Sequence, residues 1–307
     1  MKDKKLSSKK VHLFIFLLTF LSLLLLWMWG TCFIKFLFGG YIDSKIKDIV
    51  QEETRNLSTK EEKIQKLSEW FKRSINYAQF NDTFFNFLRS PISVCGVPDE
   101  VTFLIKKGRC GEWASLYLKL LEYANISGRI VSFVEDHALL EVQINNTWMP
   151  VEPPYGITSY ESYKSSRNIS KAYRRENDKI SDATRSYAET GFLVIKTTKQ
   201  KVAISSVKTC IFSKYLMLND PKNYKNPKLV LCNYTNEFGI YVEELGKGVY
   251  NIEALKFNSP FECSVASIEN YTLFPNRLNE ITLELENENP FSCFVKFIRE
   301  QLNKPLF

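Results

Sequence analysis

Histidine is scarce in this chain: His12 and His137 are the two in 307 residues. His12 stands at the start of an apolar run, so imidazole chemistry beyond that run rests on His137. Charge is missing from one long stretch. Between Val11 and Trp29 there is no Lys, Arg, Asp or Glu, which excludes an ordinary surface helix with one polar face. No small-x-small site follows. The continuation WMWGTCFIKFLFGG stays apolar and aromatic, against a signal peptide that is removed. There is no clear internal repeat and no low-complexity tract, so the chain has room for one large domain or two ordinary ones.

What the amino terminus does have is hydrocarbon and lysine. Nineteen apolar-dominated residues at about 1.5 Å each nearly cross a core of about 30 Å, and a transmembrane anchor is expected over residues 1–40. Lys2, Lys4, Lys5, Lys9 and Lys10 crowd the near flank, while Lys35, Lys45 and Lys47 mix with Asp43 and Asp48 on the far one. That bias keeps the tail in the cytoplasm and sends the body to an extracellular or lumenal side. Much of the net charge of +7 belongs to the tail, so it does not argue for nucleic acid. Asn-x-Ser/Thr sequons at Asn56, Asn81, Asn125, Asn145, Asn168, Asn233 and Asn270 fit an exported glycoprotein or a chain merely rich in Asn and Ser. Cys210, Cys232, Cys263 and Cys293 form an even set able to make two disulfides in any of three pairings. Cys32, Cys95 and Cys110 lie upstream of that set.

Past the anchor, Tyr41 to Gln51 reads as a short stalk. A capping box at Ser58 with Glu61 opens a helix with Ile64, Leu67, Trp70, Phe71 and Ile75 on one face. YAQFNDTFFNFLRSPISVCGVPDE, broken by prolines, reads as irregular, and a short helix from Pro98 ends by Gly108. RIVSFVEDHALLEVQI and TWMPVEPPYG read as strands joined by an Asn-Asn hairpin turn. Residues 41–156 thus form one α+β body, and 157–190, with little apolar periodicity, a long connecting segment. From 191 to 307 short alternating runs, among them FLVIKTT, KVAISSV, EITLELE and CFVKFI, suggest an antiparallel β-sandwich.

The stretch KKGRCGEWASLYLKLL carries the chemistry. Cys110 sits between Gly108 and Gly111, and the apolar run Trp113, Leu116, Tyr117, Leu120, Leu121 begins only after it. The sulfur therefore falls in a first helical turn, where unpaired N–H groups and the dipole favour a thiolate. The glycines let a substrate backbone come close. His137 lies on the next element, and a hairpin brings Glu152, in TWMPVEPP, beside it. Thiol, base and orienting acid in that chain order make a Cys-His-acid triad. Trp70 offers an indole N–H as a second oxyanion donor beside the backbone N–H of Cys110, with plain core packing as its other reading.

GRCGEWA, followed by DHALLEV and WMPVEPPYG, resembles the transglutaminase-like cysteine-enzyme core, and its first segment is most similar to the peptide:N-glycanases. The resemblance covers about Pro98 to Gly156, with weaker support from the Trp70–Phe71 helix. It implies a papain-like α+β core with Cys110 as nucleophile, His137 as base and Glu152 as the acid, and N-glycosylated peptides as partners. Three departures accompany it. Glu152 stands where the family usually has Asp, Leu139 replaces an aromatic, and the paired CxxC zinc elements are missing. No structural zinc and no cofactor are therefore expected. The resemblance implies an anchored, outward-facing amidase that releases N-glycans. A protease or transglutaminase with the same triad is the alternative enzyme, and an inactive glycan-binding or adhesion module the alternative of another kind.

Overall fold

The computed structural model describes residues 8–79, 81–88, 97–176, 179–214 and 227–302. The chain forms two compact units, Met1–Ile130 with Leu139–Thr158, and Val131–Ala138 with Ser159–Phe307.

The first unit opens with helix α1 (Ser8–Thr54), followed by α2 (Lys60–Ser74), strand β1 (Asn76–Tyr77), α3 (Thr83–Leu88), α4 (Asp99–Ile105), β2 (Lys107–Gly108) and α5 (Cys110–Tyr123). Strands β3 (Gly128–Phe133), β4 (His137–Ile144), β5 (Thr147–Glu152) and β6 (Gly156–Ile157) come next; the chain leaves this unit within β3 and returns within β4. The expected stalk is the helical continuation of α1. Ile42, Ile46 and Val50 recur every four residues and are all buried, a stripe that needs a neighbouring helix to be stable. Among the described residues no helix is long and apolar enough to cross a membrane. The structure therefore does not support the span expected from Val11 to Trp29, and part of that run, including the side chains of 23–29, lies outside the described residues.

The capping box of α2 is one residue later than expected. Thr59 accepts from the Glu62 N–H at 3.2 Å, and the Glu62 carboxylate accepts from the Thr59 N–H at 3.2 Å. Ser58 and Glu61 offer the same spacing, but the shifted frame is the one that the helix adopts. Its buried side chains are Ile64, Leu67, Ser68, Trp70 and Phe71. The region expected to be irregular contains α3 with Phe85 fully buried; Phe80 and residues 89–96, Cys95 among them, lie outside the described residues.

Helices α2 and α5 are joined by a polar contact inside an aromatic cluster. The Tyr117 hydroxyl, fully buried, donates to the Ile64 carbonyl at 2.8 Å and shares a 2.7 Å hydrogen bond with Ser68 Oγ. Phe71 stands edge-on to Tyr117 at 5.5 Å and to Trp113 at 5.6 Å. Lys119 on α5 reaches Asp43 on α1 at 2.5 Å and Glu100 on α4 at 3.0 Å. Burial works against its charge, but the two carboxylates outweigh that and hold the ammonium above its ordinary range.

The sheet of this unit is built on the hairpin read from the sequence. Strands β4 and β5 pair antiparallel with Leu140 opposite Val151, and β5 pairs with β6. The turn residues Asn145 and Asn146 have φ of 48° and 64°, which asparagine tolerates better than most residues. The long run before it is two strands, because Asp136 turns the chain at φ 67°.

In the second unit the segment 157–190 is not a structureless connection. It holds helix α6 (Tyr160–Ser166), the antiparallel pair β7 (Ala172–Glu176) and β8 (Lys179–Asp182), and α7 (Thr184–Tyr187). Its burial is carried by Tyr163, Ile169, Ala172 and Tyr187, a spacing with no regular period. The sandwich follows: β9 (Thr190–Lys199), β10 (Val202–Ala203), β11 (Lys208–Ser213), β12 (Lys228–Tyr234), β13 (Ile240–Gly246), β14 (Gly248–Ser259), β15 (Glu262–Leu273), β16 (Leu278–Glu284) and β17 (Glu286–Asn287). One sheet runs β12-β11-β14-β15-β17; the other centres on β9, flanked by β10, β13 and β16. Among the described residues their strands pair antiparallel except β16 with β9, which is parallel. Leu193, Ile195, Ile211, Tyr250, Ile252 and Leu283 belong to one buried cluster.

Of the three possible pairings, the disulfides are Cys210–Cys232, between facing residues of β11 and β12, and Cys263–Cys293. The latter ties β15 to α8 (Pro290–Leu302), where a last strand was expected. Asn289 Oδ1 accepts from the Ser292 N–H at 2.8 Å, and proline at the first helical position needs no N–H partner. The aromatics of CFVKFI then work at a spacing of three. Phe294 stacks on Phe261 at 4.9 Å, and Phe297 meets Phe257 at 5.7 Å.

In the first unit the fully buried Glu141 carboxylate meets Arg129 Nε at 2.6 Å. Arg129→Met leaves that carboxylate without its guanidinium and is expected to lower stability by about 3 kcal/mol. Urea unfolding at neutral pH measures this, and a loss below about 1 kcal/mol would show that the pair is not holding the strands together.

Candidate active site

Cys110 is the first residue of α5 and, among the described residues, the cysteine outside any disulfide. The chain enters the helix through Arg109 in an extended conformation (φ −95°, ψ −177°), and the first intrahelical bond runs from the Trp113 N–H to the Arg109 carbonyl at 2.7 Å. Glu112 folds back so that its carboxylate accepts from the Arg109 N–H at 3.1 Å. These bonds set the angle at which the sulfur leaves the helix start. Backbone N–H groups in the first turn have no acceptor within the helix, so the sulfur is half-buried beside donors suited to a developing oxyanion.

The two glycines around it differ. A Cβ on Gly108 would lie 2.9 Å from the Trp113 ring, 3.0 Å from Thr102 and 3.1 Å from Glu112, whereas one on Gly111 would meet nothing within 4 Å. Close packing therefore accounts for Gly108, where approach room was expected, and a methyl at Gly111 would enter open space.

The polypeptide just ahead of Cys110 is fastened to the segment 76–88. Strand β1 pairs in parallel with β2, Asn76 facing Lys107 and Tyr77 facing Gly108. Trp113 Nε1 donates to the Asn76 carbonyl at 3.3 Å, and Tyr77 stands edge-on to the Trp113 ring at 5.1 Å. Lys107 pairs with Asp82 at 2.9 Å. Arg109 Nη2 donates to Asn86 Oδ1 at 2.5 Å, its guanidinium 5.6 Å above the Phe85 ring. The Phe85 N–H, with help from Lys107, holds the Asp82 carboxyl below its usual range. That support is present at neutral pH and is lost as pH falls through the lowered value. None of these anchors was found in the sequence. A lone Asp-x-x-Phe or Asn in an aromatic stretch carries no periodic signal.

His137 is the first residue of β4 and is half-buried. Its ring lies nearly parallel to that of Phe133, 5.9 Å away with 12° between planes. Phe133 is buried and meets Tyr187 at 5.1 Å and Tyr163 at 6.0 Å. Glu152 is the last residue of β5 and is 8% exposed, so it is not a solvated strand end. Cys110 and Glu152 belong to the first unit and His137 to the second. Trp70 is buried on α2, with Phe71 at 6.4 Å and the Lys106 ammonium 5.9 Å from its ring. Leu139 is fully buried. Among the described residues no three His, Cys, Asp or Glu side chains gather as a metal site.

Residues 47–153 match the model of the transglutaminase-like superfamily. The match stands at the superfamily level and covers about a third of the chain. No curated protein matches the chain. Among solved structures, a putative cysteine protease from Cytophaga hutchinsonii shares 15% identity at a TM-score of 0.29, covering 46% of this chain and 48% of its own. A TGase shares 12% at 0.28, covering 37% of this chain and 31% of its own. A putative protease from Parabacteroides distasonis shares 9% at 0.34, covering 85% of this chain and 53% of its own. The chain thus spans about half the length of the first and under a third of the second.

Gly108→Ala is expected to cost about 1–3 kcal/mol through overpacking and to change the rate at which iodoacetamide alkylates Cys110, while Gly111→Ala leaves both nearly unaltered. Thermal melts and alkylation kinetics on the native protein measure this. Equal effects at the two positions would contradict their different surroundings.

Proposed function

We propose that the chain is a thiol-dependent amidase that releases N-glycans from glycosylated asparagine, with Cys110 as nucleophile, His137 as base and Glu152 as the acid that orients it. The observation that carries this reading is a half-buried thiol outside any disulfide, at the first position of a helix within the segment that matches the transglutaminase-like superfamily. Two features add support. His137 opens β4 and Glu152 closes β5, after the helix that carries Cys110, which is the chain order of a Cys-His-acid triad. The run GRCGEWA is similar to that of the peptide:N-glycanases, and this similarity is the basis for the choice of substrate.

In this mechanism Cys110 Sγ attacks the side-chain amide carbonyl. The oxyanion is met by the Cys110 backbone N–H, with the Trp70 indole as the proposed second donor. His137 passes a proton to the departing glycosylamine as the C–N bond breaks. Water then hydrolyses the thioester, leaving aspartate and restoring the thiol. The superfamily-level match favours one second reading, in which the same groups act on a peptide amide as a protease or transglutaminase.

We further propose that α1 anchors the chain in a membrane, amino terminus in the cytoplasm and the rest outside or in a lumen. Ile15, Phe16, Leu17, Leu18, Phe20 and Leu21, and further along Phe33, Phe36, Leu37 and Phe38, are exposed on this helix, an apolar surface that water does not favour. All seven sequon asparagines are exposed, and the two disulfides suit an oxidising compartment.

Incubation with a defined N-glycopeptide tests the reaction. Free glycan together with Asn converted to Asp is expected, with Cys110→Ala abolishing it and His137→Ala or Glu152→Gln slowing it at least about a hundredfold. Mass spectrometry of both products reads the outcome. Peptide cleavage or amine incorporation in place of glycan release would select the second reading, and glycan release undiminished in Cys110→Ala would remove the nucleophile. Resistance of the full chain to alkaline carbonate extraction from membranes is the matching test of α1; release into the supernatant refutes the anchor.

A further inference from the structure

His137 closes a tight turn between β3 and β4, and the residues just ahead of it are fastened to other parts of the second unit, to which 131–138 belongs. Asp136 makes the turn, its N–H bonded to the Phe133 carbonyl at 3.2 Å, and it pairs with Lys228 at 3.3 Å. The Val134 N–H donates to the Lys171 carbonyl at 3.1 Å, and the Val134 side chain packs against the buried cluster of the sandwich.

Between these two stands Glu135, fully buried. Its Oε1 accepts from both the N–H and the hydroxyl of Ser170, the former at 2.8 Å, and Ser213 on β11 bonds the same carboxyl. Ser170 is held in turn, because its carbonyl accepts from the Gly246 N–H at 3.0 Å. A carboxyl removed from water is costly unless it is hydrogen-bonded, and what these bonds constrain is the turn that carries the imidazole. Phe133 completes the arrangement. It is backed by Tyr163 and Tyr187, and its ring lies 5.9 Å from that of His137 with 12° between the planes.

We infer that Glu135 is a positioning residue for His137: by locking the turn to Ser170 it sets where the imidazole stands and keeps it parallel to Phe133. The role rests on the amidase reading for the imidazole's place as base, but the lock can be read without turnover. Misplacement of a reacting group by about 1 Å is enough to slow a reaction about a hundredfold. Burial raises the Glu135 carboxyl above its ordinary range, so a neutral side chain that keeps an acceptor for Ser170 serves in its place.

The test uses the full chain in detergent with His12→Gln, which leaves His137 as the one histidine, isotope-labelled at Cε1 for NMR. At a pH of about 8.5, above the ordinary imidazole range, Phe133→Leu marks where the His137 signal lies without the neighbouring ring current. Glu135→Ala is expected to carry the signal toward that position and to lower kcat for glycan release at least about tenfold with KM nearly unchanged. Glu135→Gln retains both the signal and the rate. Ser170→Ala, which removes the hydroxyl and leaves the amide bond, gives a smaller displacement in the same direction should Glu135→Ala misfold. Leu283→Ala, in the sandwich core, lowers stability without moving the signal. The role is overturned by an unmoved signal in a folded Glu135→Ala variant, or in Ser170→Ala where the former does not fold. It is equally overturned if Leu283→Ala moves the signal as far, if Glu135→Gln behaves as Glu135→Ala, or if Phe133→Leu leaves the signal in place. Displacement without glycan release by the unmodified protein sinks the amidase reading and leaves the lock standing; glycan release with an unmoved signal does the reverse.

Discussion

The buried Tyr117 hydroxyl is the constraint from which the rest of the first unit follows. A hydroxyl removed from water must be hydrogen-bonded, and here both its partners lie on α2, the Ser68 side chain and the Ile64 carbonyl. That requirement sets how far α5 can slide or turn against α2. Phe71, packed edge-on against Tyr117 and Trp113, fills the space beside it. Because α5 begins with Cys110, fixing the helix also fixes the direction in which the sulfur points.

A second layer of polar contacts works in the same sense. Lys119 ties α5 to α1 and α4 through Asp43 and Glu100, and Arg109 ties the residue before the thiol to α3. The helix is thus held at its start by a polar tether and along its length by a buried tyrosine and a shared ammonium. In the second unit buried polar groups serve a similar purpose. Glu135, fully buried, accepts from the Ser170 N–H at 2.8 Å, and burial raises its carboxyl above the ordinary value. Lys171 is held by Asp182 at 2.7 Å and Glu243 at 2.5 Å.

Elements with a strong local signal were legible. The stripe Leu116, Tyr117, Leu120, Leu121 marks α5, and two asparagines mark the β4–β5 turn, because helical period and positive φ are written in a few neighbouring residues. Most sandwich strands were also recognisable, though β11, Lys208–Ser213, was not read as a strand. Elements that depend on distant partners were misread. CFVKFI alternates as a strand would, yet a proline start, an asparagine cap and the bond from Cys293 to Cys263 make it helical. Segment 157–190 buries tyrosines at irregular spacing, which no periodicity reveals.

By itself the sequence determined the chemical inventory: one histidine outside the apolar run, a thiol between glycines at a helix start, and an acid on the following hairpin. These follow from residue type and short spacing, which is where side-chain chemistry and backbone geometry act directly. The tertiary structure decided what each is surrounded by. It set Glu152 in a buried place, laid Phe133 against His137, divided the work of Gly108 from that of Gly111, and brought segment 76–88 up to Arg109. Burial and contacts between residues far apart in the chain depend on how whole elements pack, and local spacing carries no record of that.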